Sequence, residues 1–479
     1  MTLKQKTFSA VRWTTLAGVM RAFMQITQVA ILSRLLSPKD YGLMAMVGVV
    51  LSFASLFSDM GINSAYIYRQ GVTLEQRSSL FWLNILVSVI VTLIVIASSP
   101  LFAWYFGNEQ LTSLMILSSM TFIFSAIGQQ VRLTSEKELD FRPVVLQEIV
   151  AALLGFASAV VAALSGWGVY SLVVSGIVSA LANTALSWIF LARGWFPMRH
   201  FRKEDVRPFL GFGSASLANN IVNQINSSID IFLGGRLLNS AQLGLYSVPR
   251  NLTLQVQFMV NPIITRVGFP LIAMVQSEKD KVKAIYLKTI NMTSSTNAPI
   301  YLVIAFFAPE IVSILLGSGW VLSSQILRIL ALWGGIRSTA NTIGSLLYGM
   351  GRADLSLKWN LGLFLVTPAV MWVASKGGPE GISWALLCLQ LILFIPSWYV
   401  LVSPVCQAGL AEYTLSALKP FLLAALSVLP GYLLSQQFDG QIMRLAIGIS
   451  VSAPIYLILS YKYNLFWFVS MMELLRNNK

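Results

Sequence analysis

Apolar runs of about 20 residues recur from one end of this chain to the other, and each is long enough to cross a bilayer core of roughly 30 Å as a helix. Hydrocarbon leaves no partner for an open backbone, so a chain built this way folds as membrane-spanning helices or as a closed barrel. No alternating ten-residue strand pattern of the barrel kind is present. Charged residues make up 11% of the chain, against roughly 25% in soluble domains, too few to coat a water-facing surface. The sequence therefore reads as an all-α polytopic membrane protein.

Breaking the apolar windows at Gly, Pro and charge gives about fourteen spans. They are 13–36, 41–62, 79–103, 111–131, 143–164, 168–192, 207–233, 243–275, 286–308, 321–349, 357–375, 380–402, 417–436 and 441–461. The first is too long for a signal-peptide h-region and is followed by no small-residue cleavage site, so it is expected to be a retained helix. The eighth contains Pro249, Pro262 and Pro270 and is expected to bend. With the N-terminus in the cytoplasm, most of the 33 Lys and Arg fall in cytoplasmic segments, and only Lys39, Arg236, Lys376 and Arg444 lie in or beside the opposite loops. This positive-inside bias predicts cytoplasmic N- and C-termini. It also accounts for the net charge of +14 through anionic lipid headgroups, with no need for nucleic acid.

Two cysteines, Cys388 and Cys406, would lie about 27 Å apart along a continuous helix, too far to bridge. A single histidine, His200, sits in a basic loop, leaving no His cluster, Ser–His pair or zinc site. The expectation is a protein that is not an enzyme and carries no cofactor or metal.

An internal repeat organises the chain. Residues 34–43 read RLLSPKDYGL and residues 236–245 read RLLNSAQLGL, an offset of 202. Six spans fit in that offset, an even number, so the two copies run in parallel. The expected architecture is two six-helix lobes around a central cavity, 1–200 and 201–402, with two further helices in 403–479. The same offset pairs two polar stripes. Arg21, Gln25 and Gln28 on the first span share a face, as do Asn219, Asn223, Asn226 and Asp230 on the seventh.

A charge at the bilayer centre costs about 2.5–3.5 kcal/mol on insertion scales, so each intramembrane charge calls for a compensating environment. Arg21, Gln25, Gln28, Asn219, Asn223, Asn226, Arg250 and Arg337 are the expected lining of a net cationic cavity; the alternative is that they glue helices together. Asp59, Glu148 and Asp230 are candidates for H+ or Na+ coupling, the alternative being an arginine partner. Arg34, Arg236 and Arg266 are assigned gate or structural roles, and Arg328 is a helix-end cation.

Several segments carry a family resemblance: VRWTTLAGV, VAILSRLLSPKDYGLMAM, FSDMGINSAYIYR, LFWLNI and KELDFRP early in the chain, and NPIITRVGFP, GSGW and IGSLLYGMGRADLSLKWN later. As a set they resemble the polysaccharide transporters of the MOP superfamily, of the Wzx-type lipid-linked oligosaccharide flippase, colanic-acid exporter kind. The resemblance implies a bacterial inner-membrane protein that moves an oligosaccharide on undecaprenyl diphosphate from the cytoplasmic to the periplasmic leaflet by alternating access. It also implies a cationic cavity facing the diphosphate and other polysaccharide-assembly proteins as partners. A drug antiporter of the same superfamily would favour an acidic cavity, whereas the spans hold more Arg than carboxylate. A membrane-embedded glycan-modifying transferase would need an acid/base cluster that the sequence lacks.

Overall fold

The computed structural model describes residues 3–59, 65–67, 69 and 71–476, with the side chains of 3–12, 14, 15, 59, 210–220, 263, 266, 267 and 474–476 left out. Helices dominate. The first six are α1 (Leu3–Leu35), α2 (Pro38–Asp59), α3 (Leu74–Phe106), α4 (Gln110–Lys137), α5 (Phe141–Leu164) and α6 (Tyr170–Phe190). Next come α7 (Lys203–Leu237), α8 (Ser240–Met274), α9 (Lys279–Phe306), the short α10 (Ala308–Leu315), α11 (Val321–Ala340) and α12 (Thr342–Gly349). The chain closes with α13 (Ala353–Ala374), α14 (Gly378–Ile392), a short helical stretch over 394–406, α15 (Leu410–Ser435), α16 (Gln441–Tyr463) and α17 (Leu465–Arg476). Among the described residues, ten helices are long and apolar enough to cross a membrane, or eleven if α9 and α10 form one span. This is a multi-pass helical membrane protein.

The ninth interval, 286–308, runs without a break through α9 as far as Phe306, and a bend comes at its end. α9 and α10 meet at an angle of 77°. Pro309 lies in the first turn of α10, where its missing N–H leaves no helical bond unmade, so the new helix starts in a new direction. The proline-rich eighth interval, by contrast, runs as the single helix α8.

The helices bury their small polar residues and expose their large apolar ones, as a lipid solvent demands. The buried residues of α6 are Ser171, Val173, Ser175 and Ser187, while Ile189 and Phe190 on the same helix are exposed. Small side chains let backbones approach closely, and lipid supplies no drive to hide leucine. Thus Thr184 lies against Gly128 of α4 and donates to the Phe124 carbonyl at 2.6 Å, and Ser175 lies against Gly155 of α5.

The chain groups into two compact units, Met1–Gly244 and Leu245–Lys479. In the first, α3 packs on α4, α5 on α6, α4 on α6 and α1 on α5. Helix α7, which the repeat counts with the second lobe, packs here on α2 and α3. Gln224 joins it to α2 by donating to Ser52 Oγ at 2.8 Å. At the opposite end of α7, Asp205 accepts from Ser79 Oγ at 2.8 Å, and this bond, with lesser help from His200 and Arg202, holds the Asp205 carboxyl below its usual range. In the second unit α9 packs on α11 and α15, α15 on α16, and α11 on α14. The last helices are tied to α9 by Tyr456 donating to the Ser295 carbonyl and Asn464 donating to Ser295 Oγ.

The repeated segments make the same turn twice. After α1, Asp40 Oδ2 accepts from the backbone N–H and hydroxyl of Ser37 at 2.8 and 2.6 Å. After α7, Asn239 and Gln242 exchange bonds, Gln242 N–H donating to Asn239 Oδ1 at 2.8 Å and Asn239 N–H to Gln242 Oε1 at 3.3 Å. At both helix starts the first backbone N–H is met by the side chain three positions on, and at Asn239 the exchange is reciprocal, the full capping-box arrangement. The following turns cross at their glycines. A Cβ on Gly42 would stand 1.7 Å from the Ser240 carbonyl oxygen, and a Cβ on Gly244 would stand 1.7 Å from that of Pro38. All four positions are related by the 202-residue offset, so the crossing is reciprocal.

Candidate functional site

The first polar stripe is built on α1, where 3.6-residue periodicity aligns Arg21, Gln25 and Gln28, and Arg21 reaches α5 while Gln28 reaches α6. Arg21 Nη2 lies 2.8 Å from Glu148 Oε2 on α5, and Arg132 Nη2 of α4 lies 2.6 Å from the other carboxylate oxygen. Arg132 also donates from Nε to Glu136 one turn later at 2.7 Å. One carboxylate therefore holds two guanidinium groups. The Arg21 side chain is 65% exposed, whereas that of Glu148 is only 16% exposed, so the cation reaches out from an anchored carboxylate. Arg21 and Glu148 line a cavity of about 220 Å³ with Met24, Ala152 and Asn183. Asn183 accepts from Gln147 at 3.3 Å, setting an amide beside the charges. Gln28 reaches Ser175 Oγ at 3.5 Å, the limit of a hydrogen bond, and Gln25 is exposed.

On α7, Asn223, Asn226 and Asp230 are each engaged in further polar or electrostatic interactions, and Asp230 is 4% exposed. The side chains of Asn219, Asp59 and Arg266 lie outside the described residues. Arg236, at the end of α7, donates to the Tyr105 carbonyl at 2.9 Å and lies over the Tyr105 ring, which ties α7 to the end of α3. Arg34 is exposed at the end of α1 and has interactions of its own.

In the second unit Arg250 is buried at 6% exposure and engaged. Arg337 sits with its guanidinium 4.9 Å from the Trp333 ring centre, a cation–π contact. Arg328 Nε reaches the Ala305 carbonyl at 3.3 Å. Arg21 and Glu148 are thus brought together; Arg250, Arg328 and Arg337 belong to the chain's other compact unit.

Sequence reasoning missed Arg132, Asn183 and Gln147. Arg132 fell one residue beyond the expected fourth span, but α4 continues to Lys137 and carries it as an internal helix residue. Its Arg–x–x–x–Glu spacing to Glu136 was the available signal.

A family model described as polysaccharide biosynthesis protein matches residues 31–325, more than half the chain. The chain belongs to that family. This polysaccharide biosynthesis family member is 30% identical to the lipopolysaccharide biosynthesis protein WzxC of Escherichia coli (strain K12), over 92% of this chain and 90% of that protein. It is 28% identical to the teichuronic acid biosynthesis protein TuaB of Bacillus subtilis (strain 168), over 96% of both. Among solved structures it is similar to the lipid II flippase MurJ in an inward closed conformation, with a TM-score of 0.74 at 13% identity, covering 95% of this chain and 99% of that one. At that identity the likeness concerns the fold.

Removing Glu148 leaves two arginines facing each other, so Glu148→Ala is expected to destabilise the protein by about 1–3 kcal/mol, the exposure of Arg21 moderating the loss. The Glu148→Ala/Arg132→Ala double variant should recover part of it. A cycle of melting temperatures in one detergent checks this, and strict additivity would show that the pair is not coupled.

Proposed function

We propose that this protein is a flippase that moves an oligosaccharide repeat unit on undecaprenyl diphosphate from the cytoplasmic to the periplasmic leaflet of a bacterial inner membrane. The single observation that carries the reading is Arg21, a cation on the first helix that is mostly exposed while its carboxylate anchor is nearly buried. A guanidinium so held keeps donors available for phosphate oxygens, to which its planar fork is suited. Family membership, the names of the relatives and the MurJ-like fold support the same reading.

In this account the chain acts as a transporter rather than an enzyme. It crosses the membrane fourteen times with both termini in the cytoplasm, as lobes 1–200 and 201–402 followed by two helices in 403–479. The lobes rock about a cavity lined by Arg21, Gln25, Gln28, Asn219, Asn223, Asn226, Arg250 and Arg337. Asp59, Glu148 and Asp230 are the candidates for an H+ or Na+ cycle, Glu148 by exchange against its two arginine partners. Arg34, Arg236 and Arg266 brace the ends of their helices during the motion, and other polysaccharide-assembly proteins hand over and receive the lipid.

The test is complementation of a strain lacking this gene with an Arg21→Ala variant. Surface polysaccharide is expected to fall at least about tenfold, the loss of one charge-assisted contact to an anion, while membrane abundance and melting temperature stay close to wild type. Wild-type polysaccharide in a strain carrying Arg21→Ala would take Arg21 out of the transport path.

A further inference from the structure

A second and larger cavity, of about 430 Å³, lies in the first unit, away from Arg21. The first turn of α3, the last turn of α4 and the segment following α6 enclose it. These are the ends of three membrane-crossing helices, Leu74–Phe106, Gln110–Lys137 and Tyr170–Phe190, so the cavity opens at one face of the membrane.

Its wall is a stack. The Arg77 guanidinium lies over the Trp195 ring, 3.8 Å from the ring centre. Trp195 in turn stacks on Trp188 at 6.0 Å with an interplanar angle of 11°. The backbone beyond α6 is shaped to present this ring. Arg193 adopts φ 47° and Gly194 φ 78°, and the Trp195 N–H closes the turn on the Ala192 carbonyl at 2.8 Å. A left-handed non-glycine residue costs of order 1–2 kcal/mol, and two ion pairs oppose that cost at Arg193, to Glu138 at 2.6 Å and Asp140 at 2.5 Å. The first of these pairs engages Oε2 of Glu138, the one carboxylate among the described residues lining the cavity.

Arg77 is left over. Its backbone N–H bonds to the Thr73 carbonyl and Glu138 attracts it from across the cavity, but its guanidinium makes no hydrogen bond or ion pair with the described residues, and its Nε is buried without an acceptor. The indole Nε1 of Trp195 is likewise a buried donor without an acceptor. Two such donors in one stacked pair are uncommon in a native structure and call for an occupant that supplies oxygen atoms. The rim answers a different chemistry: Phe196 is 73% and Leu74 61% exposed, apolar surface at the level where the spans end. A donor-rich interior with an apolar lip suits an amphiphile whose head is a phosphate ester and whose chains lie in the bilayer.

We propose that this cavity binds the phosphodiester headgroup of an anionic membrane phospholipid, with Arg77 and the Trp195 indole as donors to its oxygens. This site is separate from the transport path, and its occupancy is read by binding alone.

Native mass spectrometry of the full-length protein released from detergent micelles tests it, with phosphatidylglycerol, phosphatidylcholine and inorganic phosphate as probes. Wild-type protein is expected to retain phosphatidylglycerol about tenfold more strongly than phosphatidylcholine, the worth of one charge-assisted contact. Arg77→Gln should lose that preference, and Trp195→Phe, which keeps the stacking ring but lacks the N–H, should weaken it. A photoactivatable phosphatidylglycerol on the unaltered protein should crosslink within 74–77 and 191–198, which keeps the test independent of how the variants fold. Equal retention of the two lipids by wild type, an undiminished preference in Arg77→Gln, or crosslinks confined to other segments would each overturn the proposal. Displacement of phosphatidylglycerol by inorganic phosphate at equal concentration would assign the cavity to a free anion and overturn the lipid.

Discussion

Gly42→Val should yield almost no folded protein. A Cβ at position 42 meets the Ser240 carbonyl oxygen at 1.7 Å, less than half a normal carbon–oxygen contact, and the carbonyl carbon at 2.7 Å. Both obstacles are backbone atoms at the start of α8, so no rotamer change relieves them, and the helices must part by more than 1 Å. Overpacking against movable side chains typically costs about 1–3 kcal/mol, and a collision with backbone lies at or beyond the upper end. Gly42→Ala should already fail, since the clash is with Cβ itself, and Gly244→Ala should match it because its Cβ meets the Pro38 carbonyl at the same distance. Gly48→Ala, six residues along α2, has nothing within 4 Å of its new methyl and should be close to neutral. Fluorescence-detected size-exclusion profiles of the four variants provide the measurement. A monodisperse Gly42→Val peak at wild-type height would show that the two turns are not in contact.

Asn261→Ala is expected to cost about 2–4 kcal/mol. Asn261 of α8 is 4% exposed and organises three helices: its Oδ1 accepts from Asn297 Nδ2 of α9 at 2.9 Å and from Ser338 Oγ of α11 at 2.7 Å, and its Nδ2 donates to the Ser338 carbonyl at 2.9 Å. Truncation removes all three bonds. It strands the Ser338 hydroxyl and part of the Asn297 amide, both wholly buried, though Asn297 keeps its bond to the Thr293 carbonyl. Interhelical hydrogen bonds in membranes average about 0.6 kcal/mol and reach about 1.7, whereas a stranded buried donor costs about 1–3 kcal/mol, and the two effects add here. Asn261→Asp keeps the acceptor for Asn297 and the Ser338 hydroxyl but sets an ionisable oxygen against the Ser338 carbonyl, so it should lose at least as much. Thermal melting in detergent distinguishes the cases; equal melting temperatures for Asn261→Ala and wild type would mean that the network contributes no net stability.

Among the described residues each expected span falls largely on helix, because apolar length is a local property that one stretch of sequence carries by itself. The repeated RLL–turn–GL segments were legible for the same reason, and their spacing identified Gly42 and Gly244 as equivalent before any contact between them could be inferred. The bend between α9 and α10 was not legible, since a proline at position 309 marks a helix start and a loop equally well. The site was legible only in part. In-span rarity singles out Arg21 and Glu148 as costly charges, but their pairing, and Arg132 as third member, depend on three helices whose packing no periodicity states. The Asn261–Asn297–Ser338 cluster was invisible because its members are 36 and 77 residues apart from Asn261 and each looks like an ordinary small polar residue on its own helix. The Arg77–Trp195 stack, 118 residues apart in a chain with 13 tryptophans, gave no signal at all.

The reciprocal crossing at Gly42 and Gly244 restricts how the two copies of the repeat can diverge. Where side chains meet, a larger residue on one partner can be matched by a smaller one on the other, and paired positions drift together. Here each glycine faces main-chain atoms, which no substitution on the opposite copy can shrink. Each position therefore admits one amino acid, independently of its partner, while Asp40 and Gln242, whose side chains cap their own turns, have already become different residues doing the same work.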